Sequence, residues 1–213
     1  MSISHHIPAR LMRAYAAGSL PASFATVVAA HVSVCDECRA RLEAEEIAGG
    51  AVLENLNPVG GDEARLRAAV LARLDDALEA PEAPAPEGHG IYPGPVMAAL
   101  KGRAPRWKPL GAGIRQTILA SGDEGSLRLL YIPPGAAVPD HGHGGLELTM
   151  VLQGSFGDET GHYGVGDVEV ADDSLEHTPI AGPEAPCIAL AATDAPLRFR
   201  ALVPRLLQPL FRI

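Results

Sequence analysis

The chain has 213 residues, with 17 Lys and Arg against 26 Asp and Glu, a formal net charge of −9 with neutral His. This acidic balance disfavours sustained contact with nucleic-acid phosphates, because such contact depends on clustered cations. Apolar residues make up 47% of the chain and charged residues 20%, which excludes disorder for most of it. Length alone leaves one large domain or two small ones open.

The N-terminus and the cysteines predict a cytoplasmic protein. The start, MSISHHIPARLMR, lacks the apolar core and small-residue cleavage site of a secretory signal. Cys35, Cys38 and Cys187 are too few and too unevenly placed for a disulfide scaffold, which favours a reducing compartment. Residues 14–35 lack Asp, Glu, Lys and Arg, but Gly, Ser and Pro interrupt them. We therefore expect two helices joined by a turn and no membrane span.

Residues 1–80 predict a small helical domain. They are rich in Ala, Leu, Arg and Glu, and their apolar residues recur at helical spacing. We expect four helices, which begin after Pro8, at Pro21, near Asp36 and near Asp62, the last of them running to Leu78. So small a helical domain buries too little surface to be stable by a wide margin, which indicates that something else stabilises it.

Residues 81–95 read PEAPAPEGHGIYPGP, which predicts a linker. In residues 96–213, short runs such as LELTMVLQG and PLRFRALV are separated by Gly, Pro and Asp at intervals of roughly ten residues. This pattern predicts an all-β domain, either a sandwich or a barrel. The predicted fold class is therefore α+β in two domains, with four helices followed by the β domain.

The segment His31-Val-Ser-Val-Cys35-Asp-Glu-Cys38 predicts a metal site in the helical domain. His31 and Cys35 are four positions apart, so on a helix they share one face. Imidazole and thiolate suit structural Zn²⁺, which requires four ligands. The fourth could come from His5 or His6, which precede the first helix.

Two other interpretations of the cysteines compete with zinc. A redox dithiol would open a helix after a strand, and that context is absent from the sequence. Two inert buried cysteines are disfavoured, since Asp36 and Glu37 between them indicate an exposed turn.

The HxxxCxxC spacing resembles the zinc-binding anti-sigma domain over residues 1 to about 80. The resemblance implies a fourth ligand about 25 positions before His31, which is His6, with His5 as the fallback. It also implies an extracytoplasmic-function sigma factor as the partner. An acidic chain suits a partner whose working faces are basic.

A second constellation runs from Gly135 to Gly154 and contains His141, His143 and Glu147. If this segment is extended, the three side chains emerge from one face, since all have odd numbers. Imidazoles and a carboxylate suit Zn, Mn, Fe or Ni. The run is similar to the first cupin motif, GX5HXHX3EX6G, at every fixed position, which implies a double-stranded β-helix barrel.

The second cupin motif, GX5PXGX2HX3N, is only partly present. Gly166 and His177 match it, whereas Asp172, Ser174 and Ala181 replace the expected Pro, Gly and Asn. These departures alter the turn and keep the histidine. The resemblance therefore implies His177 as the fourth ligand of the cupin metal.

The two motifs in this order resemble the ChrR family of anti-sigma factors. The resemblance implies a non-enzymatic regulator whose helical domain holds the sigma factor and whose cupin domain is needed for its release under stress, specifically singlet oxygen. The alternative is a metal-dependent cupin enzyme, such as a dioxygenase or isomerase, with an accessory zinc module. That alternative leaves HxxxCxxC without a role.

Overall fold

A computed structural model describes residues 2–57, 60–74 and 86–195, and the backbone of residues 198 and 199. The predicted α+β class is confirmed, since helices dominate the first part of the chain and strands the second. The helices are α1 (Ala9–Ala16), α2 (Ala22–Val32), α3 (Asp36–Glu54), α4 (Glu63–Ala72) and α5 (Gly94–Ala99).

Helices α1 and α2 show why the apolar stretch is no membrane span. Pro8 and Pro21 precede the two helices in extended conformation, and Gly18 takes a φ of +65° in the turn between them. Among the described residues, none of the helices has the length and apolar character needed to cross a membrane.

The helix predictions differ from the structure in two places. Helix α4 ends at Ala72, short of Leu78, and residues 75–80 lie outside the described ranges. Helix α5 was not predicted, and it begins inside the segment 81–95 that we assigned to a linker. Pro95, in its first turn, presets helical φ, and Val96 is fully buried. The burial of Val96 stabilises this short helix.

The described residues of the β domain form one large and two small antiparallel sheets. The large sheet has six strands in the order β1-β2-β3-β11-β5-β8, and the small sheets have the orders β10-β6-β7 and β12-β4-β9. The strands are β1 (Lys108–Gly111), β2 (Ile114–Gly122), β3 (Gly125–Ile132), β4 (His141–Gly142), β5 (Glu147–Gln153), β6 (Phe156–Gly157), β7 (His162–Tyr163), β8 (Val168–Ala171), β9 (Glu176–His177), β10 (Ile180–Ala181), β11 (Cys187–Thr193) and β12 (Arg198–Phe199).

The two faces of the large sheet have different chemistry. On β5, Glu147 and Thr149 alternate with Leu148 and Met150, so one face carries polar groups and the other is apolar. In the sequence, the alternation of Leu146, Leu148, Met150 and Leu152 predicts that this face is covered by a second sheet, a partner subunit or the helical domain. Helix α2 covers it, in contact with β3, β5 and β11.

Helices and sheet consequently share one hydrophobic cluster. It contains Phe24, Val27 and Val28 of α2 together with Leu148 and Met150 of β5. Each of these five side chains is at most 1% exposed. The helical and β parts therefore stabilise each other through a common core.

We expect Leu148→Ala to lower the free energy of unfolding by about 2–5 kcal/mol, because it opens a cavity in this shared core. Leu66→Ala is the matched control, since Leu66 is 64% exposed on α4, and we expect its effect to stay within about 0.5 kcal/mol. Urea unfolding followed by circular dichroism measures both. Equal stabilities of the two variants would contradict the shared core.

Candidate metal centres

The first cluster, which we call the His/Cys centre, consists of His6, His31, Cys35 and Cys38. One donor atom from each residue lies within 4.8 Å of all the others. His6 Nδ1 lies 3.4 Å from Cys35 Sγ and 3.6 Å from Cys38 Sγ. These four residues come from the segment before α1, the end of α2 and the start of α3, so a bound ion would join all three.

His31 has the tautomer and orientation of a metal ligand. Its Nδ1–H donates to the backbone carbonyl of Gly166 at 2.8 Å. Its Nε2 is buried and has no hydrogen-bond partner among the described residues. Burial also lowers the pKa of His31, which favours the neutral ring that binds metals. An orphaned lone pair beside two thiols fits a metal ion well.

The thiols of the His/Cys centre also fit a cation. Burial raises the pKa of Cys38, and the neighbouring Cys35 raises it further, against a smaller opposing effect of the Ile7 backbone hydrogen bond. Without a cation, Cys38 therefore favours the protonated form. A bound cation would stabilise the thiolates, since metal binding and thiol ionisation are coupled.

The structure distinguishes the two N-terminal histidines. His6 directs Nδ1 to the thiols, while its Nε2 lies 3.2 Å from a carboxylate oxygen of Glu37. His5 points elsewhere, with Nδ1 3.5 Å from Asp167 and its ring 4.5 Å from the ring of Tyr163. Within the described chain, the His/Cys centre therefore contains His6 and excludes His5.

The second cluster, the cupin triad, consists of His141, His143 and His177. All three rings are buried, and their donor atoms lie within 4.8 Å of one another. His143 Nε2 is 3.1 Å from His177 Nε2. Strand β4 pairs His141 with His177 of β9, which explains how residues 36 positions apart in sequence meet. The three imidazoles can hold one divalent ion.

Glu147 lies beside the triad and outside its donor group. Its Oε2 is 3.5 Å from His143 Nδ1, and its Oε1 accepts a hydrogen bond from Thr149 at 2.8 Å. Burial raises the pKa of Glu147, but the hydrogen bond and charge of His143 outweigh this and leave the pKa below its ordinary value. Glu147 is therefore an ionised carboxylate at the edge of the site.

The condition that would place His141, His143 and Glu147 on one face, a single extended strand, does not hold. His141 lies in β4 and Glu147 begins β5, with the chain leaving strand geometry between them. The Asp194 carboxylate accepts a hydrogen bond from Leu146 N at 2.8 Å and lies against Gly145. These contacts stabilise the break between the two strands. The histidines and the glutamate meet because the chain turns there, and not because of strand alternation.

Sequence reasoning missed two carboxylates behind His177. Asp158 Oδ2 lies 2.5 Å from His177 Nδ1, and Glu169 Oε1 lies 3.4 Å from it. Burial raises the pKa of Glu169 to about 7 and lowers that of His177, but hydrogen bonds and charge from Glu169 and Asp158 bring His177 to about 9. The two carboxylates keep Nδ1 of His177 protonated, and Nε2 of His177 faces the other two histidines of the triad. Asp158 lies outside both cupin motifs, so no sequence signal marked it.

Cys187 belongs to neither cluster. It is fully buried on β11, and burial raises the pKa of its thiol to about 12. The residue is thus a protonated thiol of the core at neutral pH.

We expect Cys35→Ser to lose about one equivalent of tightly held zinc per chain, because three ligands bind a structural ion poorly. Cys187→Ala is the matched control, since it removes a cysteine outside the His/Cys centre. Metal analysis after dialysis against a chelator measures the difference. Zinc contents that match between the two variants would contradict a metal at this centre.

Comparison with known proteins gives one match to the β domain and two matches to nearly the whole chain. Residues 97–195 match the family model described as ChrR Cupin-like domain. The chain is 52% identical, over the full length of both proteins, to the anti-sigma-E factor ChrR of Cereibacter sphaeroides. It also resembles a crystal structure of Rhodobacter sphaeroides SigE in complex with the anti-sigma ChrR, with 49% identity and a TM-score of 0.77, covering 91% of this chain and 100% of that one. The chain belongs to the ChrR family of anti-sigma factors.

Proposed function

We propose that this protein binds an extracytoplasmic-function sigma factor in the cytoplasm, holds it inactive and releases it when the cupin domain receives a stress signal. The relative named an anti-sigma-E factor and the resemblance to a SigE complex support the partner. By resemblance, we assign the signal to singlet oxygen. The protein acts as a regulator that contacts the sigma factor, without direct contact to nucleic acid or membrane.

The observation that carries this proposal is an apolar surface on α3, α4 and the connection between them. Large side chains there are 46–74% exposed, and no residue of α4 is buried. We call this the helical apolar surface, and its members are Ile47, Val52, Leu53, Leu56, Leu66, Val70, Leu71 and Leu74. Exposed apolar side chains concentrated in one part of a folded protein are typical of a protein interaction site.

The charge pattern of α3 favours a basic partner. Glu43, Glu45, Glu46 and Glu54 lie on this helix beside the apolar residues. Acidic groups at the rim of an apolar surface accelerate association with a positively charged protein and exclude acidic ones. The helical apolar surface therefore fits a sigma factor whose working faces are basic.

We assign zinc to the His/Cys centre, with His6, His31, Cys35 and Cys38 as its ligands. Two imidazoles and two thiolates match the preference of structural zinc for four nitrogen and sulfur donors. The ion would supply cross-linking and no chemistry. It would fix the start of α3 against α2 and the N-terminal segment, and so set the direction in which the helical apolar surface projects.

We assign a divalent transition metal, zinc or another, to the cupin triad, with His141, His143 and His177 as ligands and Glu147 as the fourth. Buried imidazoles with an ionised carboxylate beside them suit such an ion. The bound ion would supply an open coordination position at which the signal acts. Asp158 and Glu169 would orient His177 toward it.

We expect Val70→Asp and Leu71→Asp to weaken sigma binding by about 30-fold or more, because each puts a charge into the helical apolar surface. These residues are 63% and 46% exposed, so the fold should tolerate both changes. Ile180→Asp is the matched control, a 49% exposed apolar position on the β domain. Titration calorimetry with the sigma factor measures the affinities. Equal affinity of all three variants would overturn the assignment of this surface.

We expect His141→Ala, Glu147→Ala and His177→Ala to keep sigma binding and to blunt release of the sigma factor under singlet oxygen. The reason is that each alters the cupin site and spares the helical apolar surface. His162→Ala, an exposed histidine on β7, is the control and should respond normally. A reporter gene driven by the sigma factor measures release. Steady turnover of a small molecule by the full chain, lost in the three variants, would favour the enzyme alternative.

A further inference from the structure

The N-terminal segment carrying His6 is held by one carboxylate of the β domain. The backbone N–H groups of Ser4 and His5 both donate to Asp167 Oδ1, at 2.7 and 2.8 Å. Val168 N in turn donates to His5 O at 3.2 Å. This part of the chain thus lies against the start of β8. The position of His6 follows directly from these contacts, because it is the next residue.

The same stretch of the β domain orients the second histidine of the His/Cys centre. Gly166 O accepts the hydrogen bond of His31 Nδ1–H at 2.8 Å. Gly166 takes a φ of +91°, and a Cβ at this position would lie 2.6 Å from Ile3 Cδ1. The close approach of Ile3, in the N-terminal segment, therefore depends on a glycine here. Two of the four donors of the centre are positioned by adjacent residues of the cupin domain.

This stretch also reaches the cupin triad. Asp167 and Glu169 are 4% and 3% exposed, and Glu169 Oε1 lies 3.4 Å from His177 Nδ1. Glu169 is also paired with Thr149 of β5, the strand that begins with Glu147. Residues 166–169, which we call the β8 connector, therefore contact His31 at one end and His177 at the other.

We propose that the β8 connector couples the two centres, with Asp167 and the Gly166 carbonyl acting as positioning groups for the His/Cys centre. Partners that hold the outer nitrogen or the backbone of a metal ligand strongly affect metal affinity. A displacement of β8 that follows a change at His177 moves Gly166 and Asp167, and so loosens His31 and His6. The direction of signalling rests on the proposed function, whereas the coupling itself is a property of this chain alone.

The test uses the full-length chain loaded with Co²⁺ in place of zinc. The thiolate-to-cobalt charge-transfer band reports the His/Cys centre alone, since the cupin triad contains no cysteine. The decay of this band after addition of excess chelator is timed. We expect Asp167→Ala to accelerate the decay about tenfold. Asp173→Ala, an exposed acid on the turn after β8, should leave the rate unchanged. Equal rates in these two variants would overturn the positioning role.

A double-mutant cycle tests the coupling. We expect His177→Ala to accelerate the decay in the wild-type background and to add nothing in the Asp167→Ala background, because both act through one connector. A His177→Ala rate equal to that of the wild type, or independent effects that multiply, would overturn the coupling. The sigma factor is absent from this experiment, so a failure of sigma binding would contradict the proposed function and leave this inference standing.

Two further variants keep the test decisive where Asp167→Ala does not fold. Asp167→Asn keeps an oxygen acceptor for the amides of Ser4 and His5 but loses the acceptor of Gly164 N–H, so we expect a rate between those of the wild type and Asp167→Ala. Ile3→Ala removes the side chain that packs on Gly166, so we expect faster decay than in Ile180→Ala, its exposed counterpart. If the cobalt band of Ile3→Ala decays at the wild-type rate, the proposal is contradicted, as it would be by the same result for Asp167→Ala.

Discussion

The packing of α2 on the apolar face of the six-stranded sheet is the interaction on which the rest of this structure depends. Leu148 and Met150 could not remain in water without cost, and neither could Phe24, Val27 and Val28, so each set covers the other. The helical part is too short to bury a large core by itself. It obtains that core from the sheet, and the two parts of the chain acquire a fixed orientation.

That orientation determines the environment of the His/Cys centre. His31 lies at the end of α2, so docking the helix brings its ring to the Gly166 carbonyl. The carbonyl accepts a hydrogen bond from Nδ1–H. The lone pair of Nε2 is left buried, without a hydrogen-bond partner among the described residues. An unsatisfied buried nitrogen would normally be unfavourable. Here it faces two thiols and His6, where a metal ion would satisfy all four donors.

The cupin triad illustrates a different constraint, the pairing of very short strands. Strands β4 and β9 have two residues each, yet their pairing places His141 opposite His177. Asp158 and Glu169 then lie behind His177 and fix its ring. The polar face of the large sheet supplies Glu147 and Glu169, while its apolar face supports α2. One sheet thus serves the triad on one side and the helices on the other.

The sequence by itself determined the fold class, the starts of the four predicted helices to within a residue or two, and the residues of both centres apart from the choice between His5 and His6. Local spacing carries this information, since HxxxCxxC and HXHX3E place their donors within a few turns or a short strand and loop. The sequence also indicated that Leu148 and Met150 must pack against another part of the protein, but it did not indicate which part. Helix α5 was not predicted, because it depends on burial of Val96 against the rest of the fold.

Only the tertiary structure decided which N-terminal histidine joins the thiols, what covers the sheet and what holds His177. His5 and His6 are neighbours with equal ligand chemistry, and the contact of Asp167 with His5 separates them. Asp158 and Gly166 lie far in sequence from the groups they orient, and no local pattern encodes such pairs. Contacts between distant residues arise from packing, and packing is a property of the whole chain.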